Sequence, residues 1–449
     1  MTQRKNNVIA IVGTTGVGKS QFSIDLAQAI NGEIINADSM QVYKGLDNIT
    51  NKHPMDERNG VPHHVMDYVG WDEEYFIHKF SEDAGAAIDD IHRRGKVPII
   101  IGGTHYYLLN LLFNNKTIGQ NEGTSSKSTL ALTSDQLQIL DGPVETIFET
   151  LKQLDPVIAE KFHPNDKRKL RRALEIYYTT GELPSAIYQN QKLDELDDTS
   201  LKFNTLLFWV YCDPEVLKPR LDSRVDKMME MGATKEITDL FEEYNRQDPQ
   251  PDCTSGIWQV IGFKEFLPWL KDGCKDSTLW SQGIERMKIR TRQYAKYQIK
   301  WIKKLLSVEL QKESRFNFKY GGKLYLLDAT DLSQWKDKVS TIGIDIARQF
   351  INGGPKSVSH EQAPKELMSI FPTDDYVKDI NSNKKIGSEA NWKHYQCDVC
   401  RDKQNNPLIA VGEESWKTHV NSRRHKKLVQ GIERKRKHEQ MIEQWKKKL

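Results

Sequence analysis

Residues 13–20 read Gly13-Thr14-Thr15-Gly16-Val17-Gly18-Lys19-Ser20 and fit the pattern G-x-x-x-x-G-K-[ST]. Glycines at these spacings let successive backbone N–H groups turn inward on phosphate oxygens. Lys19 adds a point charge, and Ser20 offers a hydroxyl that can hold Mg²⁺. Such a loop calls for a small molecule carrying a di- or triphosphate. The usual partner of the loop in a nucleotide-hydrolysing site is an Asp at the end of an apolar strand, but Ile99-Ile100-Ile101 is followed by Gly102-Gly103-Thr104. Acidic residues follow two other apolar runs, Asp38 after Glu33-Ile34-Ile35-Asn36-Ala37 and Asp213 after Leu206-Leu207-Phe208-Trp209-Val210-Tyr211. In a parallel sheet those strand ends open on the same edge as the loop. Asp38 therefore stands where a reacting group would be, although a lone Asp after a strand is ordinarily a turn or helix cap.

A second constellation is Cys397-x2-Cys400 followed by His419-x5-His425, two thiolates and two imidazoles able to close a tetrahedral zinc site. Leu408-Ile409-Ala410-Val411 between the pairs predicts a strand, and residues 414–427 predict one helix presenting both histidines. Arg423, Arg424, Lys426 and Lys427 cluster at the second histidine. A redox reading of the two cysteines needs a βαβ setting that is absent here. Binding of a nucleic acid and contact with a protein both suit such a finger. Two further basic stretches, Lys167-Arg168-Lys169 with Arg171-Arg172, and Lys288, Arg290, Arg292, Lys296 and Lys300 with Tyr294 and Tyr297 among them, place cations on helix faces. Many such faces are merely solvated. Beside interleaved aromatics and a basic finger, a nucleic-acid track is the better reading.

These residues need a scaffold. The chain has 449 residues, 38% hydrophobic and 28% charged, a soluble globular profile long enough for two or three domains. No run approaches the roughly 18 apolar residues of a membrane span. Five cysteines without an apolar leader point to a reducing compartment, with cytosol, nucleus and organelle matrix all open. From residue 392 onward, 15 Lys and Arg face 7 Asp and Glu, a net +8 against +3 for the whole chain. The basic excess thus sits in the C-terminal segment, as expected of a polyanion contact or a solvated tail.

Val8-Ile9-Ala10-Ile11-Val12 before the loop and Val97-Pro98-Ile99-Ile100-Ile101 join the two runs above as predicted strands, with a helix over 21–30 after the loop. Strands alternating with helices predict a mostly parallel α/β sheet. Residues 114–135 are rich in Ser, Thr and Asn and open an insertion running to about residue 204, whose clearest helix covers 166–180 before Gly181. Helices over 220–244 and 284–306 follow, and helices dominate after the fourth strand. Residues 352–391 lack a clear period and predict a linker.

Taken together, the residues resemble the tRNA dimethylallyltransferases, also called tRNA isopentenyltransferases, of the eukaryotic type with a C-terminal zinc finger. The resemblance covers residues 7–310 and 392–428. It rests on the phosphate loop and on six further blocks in order: Asn36-Ala37-Asp38-Ser39-Met40-Gln41-Val42-Tyr43, Pro62-His63-His64, Gly102-Gly103-Thr104-His105-Tyr106-Tyr107, Arg172-Ala173-Leu174-Glu175, Gln259-Val260-Ile261-Gly262-Phe263-Lys264-Glu265 and Arg292-Gln293-Tyr294-Ala295-Lys296.

The family moves a dimethylallyl group from its pyrophosphate to N6 of the adenosine 3′ of the anticodon. The resemblance implies that residues 13–20, with Mg²⁺ on Ser20, hold the donor pyrophosphate. It implies that Asp38 is the base accepting the amine proton, in place of the cap reading. Thr104 lies near the reacting base, Ser39, Met40 and Gln41 contact tRNA, and Arg220 or Arg224 holds the pyrophosphate, the spacing leaving both open. Lys167, Arg168, Arg172, Arg292, Lys296, Arg423 and Arg424 are the expected further tRNA contacts.

The expected fold is a P-loop-type α/β parallel-sheet core over residues 1–113 and 205–350, with a helical insertion over 114–204. A linker over 352–391, a zinc finger over 392–428 and a basic tail over 429–449 complete it. The expected protein is a monomeric, cytoplasmic enzyme with no membrane contact; mitochondrion and nucleus stay open, residues 1–7 being short for an organelle peptide. The rivals are a P-loop kinase of a nucleotide or small metabolite, and a finger protein with a vestigial enzyme domain.

Overall fold

The computed structural model describes residues 6–114, 131–188, 199–371, 393–402 and 405–446. The chain divides into two compact units, Met1–Thr117 with Asp198–Ile380, and Ile118–Asp197 with Asn381–Leu449.

In the first unit, six strands form one sheet: β1 (Asn7–Gly13), β2 (Gly32–Asn36), β3 (His63–His64), β4 (Val97–Ile101), β5 (Asn204–Tyr211) and β6 (Gly321–Asp328). Their order is β3-β2-β4-β1-β5-β6 and every pairing is parallel. Both faces are covered, which is why the strands read as continuous apolar runs. Along β1 the alternation is visible in what each side chain meets. Val8, Ala10 and Val12 join a core with Phe80, Ile88 and Leu112, whereas Ile9 and Ile11 join one with Phe22, Ile24 and Leu26. Each such aliphatic side chain contributes about 1.5–3 kcal/mol on burial.

The sheet departs from the sequence expectation in two strands. β3 has two residues, too few for any period, and β6 begins at Gly321-Gly322, a pair that interrupts the apolar pattern where the sequence predicts helices. A Cβ on Gly321 would stand 2.1 Å from the Thr205 carbonyl oxygen, so close pairing with β5 requires glycine there. The single helix expected over 220–244 is two, Pro214–Glu230 and Ala233–Arg246, separated at Gly232 with φ +108°. The helix expected over 284–306 runs from Ser277 to Trp301 and continues as a π turn, Ile302–Leu306. Part of the expected linker packs on the core: the Leu326 N–H donates to the Gln362 carbonyl at 2.7 Å, and the Phe371 ring meets Trp209 edge-on at 6.0 Å. Residues 372–391 of that linker lie outside the described residues.

In the second unit, helices Ser134–Asp141, Val144–Leu154, Pro156–Lys161 and Lys167–Thr180 enclose Leu140, Ile147, Leu151, Ile158, Leu170 and Leu174. The Asp166 carboxylate caps the last of these by accepting the Lys169 N–H, and Gly181 at φ +71° ends it. The same unit holds an antiparallel hairpin, β7 (His394–Arg401) and β8 (Pro407–Val411), with helices Glu413–Asn421 and Arg423–Lys446. The one helix expected over 414–427 is thus broken at Ser422, whose extended backbone lets its hydroxyl accept the His425 N–H at 3.2 Å. His394 joins hairpin to insertion: its Nε2 lies 2.9 Å from the Phe162 carbonyl oxygen.

Candidate active site

The turn between β1 and helix Lys19–Ile30 is held open by glycine. Gly16 and Gly18 have φ of +77° and +95°, and a Cβ on Gly16 would stand 2.8 Å from Leu221 Cδ2. The loop is therefore packed directly on helix Pro214–Glu230. Lys19 Nζ donates to the Thr14 carbonyl at 2.7 Å. Desolvation lowers its pKa to about 8, Asp38 working against this and Arg224 with it. The Thr15 N–H donates to Gln298 Oε1 at 2.8 Å, and Gln298 Nε2 donates to the Gly103 carbonyl at 3.2 Å. One side chain of helix Ser277–Trp301 thereby ties the phosphate loop to the turn after β4.

Beside the loop opens a cavity of about 490 Å³. Its polar wall includes Thr15, Asp38, Ser39, Thr104, Arg224 and Gln298; its apolar wall includes Ile49, Val225, Met228, Val260 and Met287. Asp38 is aimed by the end of β2. Its N–H donates to Asn36 Oδ1 at 3.1 Å, and Asn36 Nδ2 donates back to the Asp38 carbonyl at 3.1 Å and to the Val65 carbonyl at 2.9 Å. The carboxylate accepts the Met40 N–H at 2.9 Å. Desolvation raises its pKa above the usual carboxylate value, against the pull of the Met40 N–H and Lys19. Asp38 thus combines a partial cap role with a carboxylate on the cavity wall.

The Ser39 N–H donates to Thr104 Oγ1 at 3.0 Å, and Thr104 Oγ1 donates to Ser39 Oγ at 3.1 Å, which fixes the threonine to the residue that follows Asp38. Gly103 has no room for a side chain: a Cβ would lie 2.9 Å from the Tyr294 hydroxyl and 3.2 Å from Asp38 Oδ2. Desolvation and the Asp38 charge raise the Tyr294 pKa, so its phenol stays protonated.

The structure separates the two arginines. Arg220 is engaged elsewhere, its guanidinium donating to the Ala329 carbonyl at 2.9 Å and to the Thr330 carbonyl. Arg224, one turn further on, lines the cavity with its Nε buried and without a hydrogen-bond partner among the described residues; desolvation lowers its pKa to about 10. Gln41 is turned to the carbonyls of Thr50 and Asn51, at 3.1 and 3.0 Å. Asp213 caps a helix by accepting the Glu215 N–H at 2.9 Å. Arg292 pairs with Asp222, and Lys296 is exposed on the same helix. Lys167, Arg168, Arg172, Arg423 and Arg424 belong to the second unit. There Lys167 donates to the Asp141 carbonyl at 3.2 Å, Arg172 pairs with Glu175 at 3.1 Å, Arg424 donates to the Arg401 carbonyl at 2.9 Å, and Arg168 and Arg423 are exposed.

Residue types alone did not single out Gln298, His105 or the Met228 wall. A signal existed for the first: Met287, Thr291, Tyr294, Gln298 and Trp301 recur at alternating steps of four and three, one face of a helix, and all five line the cavity. His105, 5% exposed, stacks on Trp301 with centroids 4.5 Å apart, and desolvation lowers its pKa to about 3.

The Cys397 and Cys400 Sγ atoms lie 3.5 and 3.6 Å from His425 Nδ1, and the four ligand atoms of Cys397, Cys400, His419 and His425 all fall within 4.8 Å of one another. His419 Nε2 is buried without a hydrogen-bond partner among the described residues, and the Cys400 N–H donates to Cys397 Sγ at 3.2 Å. Two sulfurs and two nitrogens at these separations can hold a metal ion.

A family profile described as IPP transferase matches residues 41–305, and one described as isopentenyl transferase matches residues 6–58. The tRNA dimethylallyltransferase of Saccharomyces cerevisiae is 50% identical over 422 residues, covering 93% of this chain and 91% of that protein. The human tRNA dimethylallyltransferase is 33% identical over 441 residues, covering 94% of this chain and 86% of that one. A crystal structure of a eukaryotic dimethylallyltransferase acting on tRNA aligns with a TM-score of 0.78 at 47% identity, covering 97% of this chain and all of that one. The chain therefore belongs to the tRNA dimethylallyltransferase family.

Proposed function

We propose that this protein transfers a dimethylallyl group from dimethylallyl pyrophosphate to N6 of the adenosine at position 37 of tRNA, adjacent to the anticodon. The observation that carries the reading is the Asp38 carboxylate. It stands on the wall of a cavity that Thr15 of the phosphate loop and Thr104 also line, with no acid following β4 to serve hydrolysis.

The loop N–H groups, the Lys19 ammonium and the Arg224 guanidinium bind the pyrophosphate and stabilise the charge it gains on leaving. As the allylic C1–O bond breaks, the adenine amine forms the C1–N6 bond. The amine's lone pair is delocalised into the ring, so it attacks well only if its proton is accepted, and the Asp38 carboxylate accepts it. Thr104, held by Ser39, orients that amine. Ser20, whose hydroxyl has no hydrogen-bond partner among the described residues, would hold Mg²⁺, an ion that supplies further charge neutralisation to the leaving pyrophosphate. The target base must leave its stack to reach this enclosed wall. The helical insertion, with Lys167, Arg168 and Arg172, and the finger, with Zn²⁺ on its Cys2His2 set and Arg423 and Arg424 beside it, add phosphate contacts on the anticodon stem-loop.

Thermal protection tests the reading. Dimethylallyl pyrophosphate with Mg²⁺ should raise the melting temperature and ATP should not; protection by ATP alone would favour a kinase.

A further inference from the structure

Two tyrosines on the cavity wall are unusually open to solvent. Tyr106 is 53% exposed and Tyr297 68%, yet both line the same cavity as Asp38 and Thr104. They come from different elements, Tyr106 from the helix after β4 and Tyr297 from helix Ser277–Trp301. A ring stack relates the two. His105, next to Tyr106, stacks on Trp301, one helical turn beyond Tyr297, at 14° between planes. Desolvation holds the His105 imidazole neutral across the physiological pH range. The tyrosines, half or more exposed yet lining the cavity next to this stack in sequence, thus sit at the cavity's mouth. Lys296 and Lys300, one turn apart on the face that carries Tyr297, are exposed and have no ion-pair partner among the described residues.

Exposed aromatic rings at a cavity mouth, flanked by free cations, suit unstacked bases on a polyanionic strand. Extruding one base from a loop leaves its two neighbours each with a bare face. We infer that Tyr106 and Tyr297 form a clamp on which the nucleotides flanking the extruded adenosine stack, and that Lys296 and Lys300 take the phosphates between them. The clamp rests on the proposed transfer to an RNA base and adds positioning residues to it; neither tyrosine acts on the reacting atoms.

The test uses full-length protein with Tyr106→Ala, Tyr297→Ala and the two matching Phe variants, an anticodon stem-loop RNA and dimethylallyl pyrophosphate. Each Ala variant should raise KM for the RNA about tenfold, as expected for one lost base–aromatic stack, with kcat changed less and the Phe variants within about twofold of wild type. Stabilisation by dimethylallyl pyrophosphate should be equal in all five proteins, which separates a clamp defect from misfolding. A 2-aminopurine replacing the nucleotide next to the target should stay quenched in the wild-type complex and brighten in the Ala complexes. Unchanged KM in both Ala variants, Phe variants as impaired as Ala, or a bright probe in the wild-type complex would overturn the clamp while leaving transfer intact. Failure of the wild type to modify the RNA at all would instead remove the functional reading on which the clamp depends.

Discussion

Replacing Asp38 by Asn separates the carboxylate's chemistry from its structural part. The amide oxygen can still accept the Met40 N–H that Asp38 now accepts at 2.9 Å, and Asn36 clamps the backbone of residue 38, not its side chain. Folding and RNA affinity should therefore be largely kept. What disappears is the proton acceptor, and a lost general base lowers kcat by about 10²–10⁴-fold, roughly 3–5 kcal/mol of transition-state stabilisation.

The pH profile makes this sharper. In the proposed reaction Asp38 acts deprotonated, so wild-type kcat/KM should rise with pH through its pKa, which desolvation sets above the ordinary 3.8. The same reaction needs Lys19 as the ammonium, so kcat/KM should fall as pH climbs past about 8. In D38N the acid limb should vanish. The alkaline limb should move to lower pH, because Asp38 is the charge that now raises the Lys19 pKa. The assay is initial-rate kinetics across pH at saturating stem-loop. A D38N enzyme within tenfold of wild type, or one that keeps the acid limb, would refute the assignment.

Arg224→Ala should weaken dimethylallyl pyrophosphate binding about 10–100-fold, the size of a lost charge-assisted hydrogen bond, measured as KM for the donor. Arg220→Ala should instead lower the melting temperature through the lost bonds to Ala329 and Thr330, with donor KM close to wild type. Cys397→Ser should lower zinc content by elemental analysis and weaken stem-loop binding, while transfer at saturating RNA persists; unchanged affinity would remove the finger's RNA role. Glu33 is 1% exposed and accepts hydrogen bonds from Arg94 and Lys96, which hold its pKa below the usual range. Glu33→Gln should destabilise the protein by about 1.5–3 kcal/mol at neutral pH, because the Arg94 and Lys96 left behind are partly solvated. That contribution is present above the unfolded-state pKa of about 4.5 and lost as pH falls toward the depressed folded value, so wild type and variant should converge in urea melts at low pH.

The glycine-rich loop was legible because its pattern is local: a loop of that kind between strand and helix reads the same in sequence and in space. Strand position alone left Asp38 as one of two acids, the family motif singled it out, and the fold divides the pair, Asp213 becoming a helix cap while Asp38 faces the cavity. The arginines sit one turn apart on one helix, and sequence spacing could not decide between them. The carbonyls of Ala329 and Thr330, just past the unforeseen strand β6, engage one and leave the other facing the site. Helix boundaries at Gly232 and Ser422 were hidden for a related reason, since the apolar and basic periods run on across each break. The cavity's apolar wall draws on residues as distant as Ile49, Met228 and Met287, whose meeting is a property of the core they share with Val225 and Phe263, not of any motif.

The central claim is that an allylic carbon, not a phosphoryl group, is transferred, and that an adenosine amine receives it. Incubating the purified protein with Mg²⁺, dimethylallyl pyrophosphate and an anticodon stem-loop, then digesting the RNA for nucleoside mass spectrometry, tests this most directly. The expected result is one adenosine, at position 37, gaining a C5H8 unit on N6, with pyrophosphate released. An unmodified adenosine, with phosphate transferred from ATP to any acceptor instead, would contradict it.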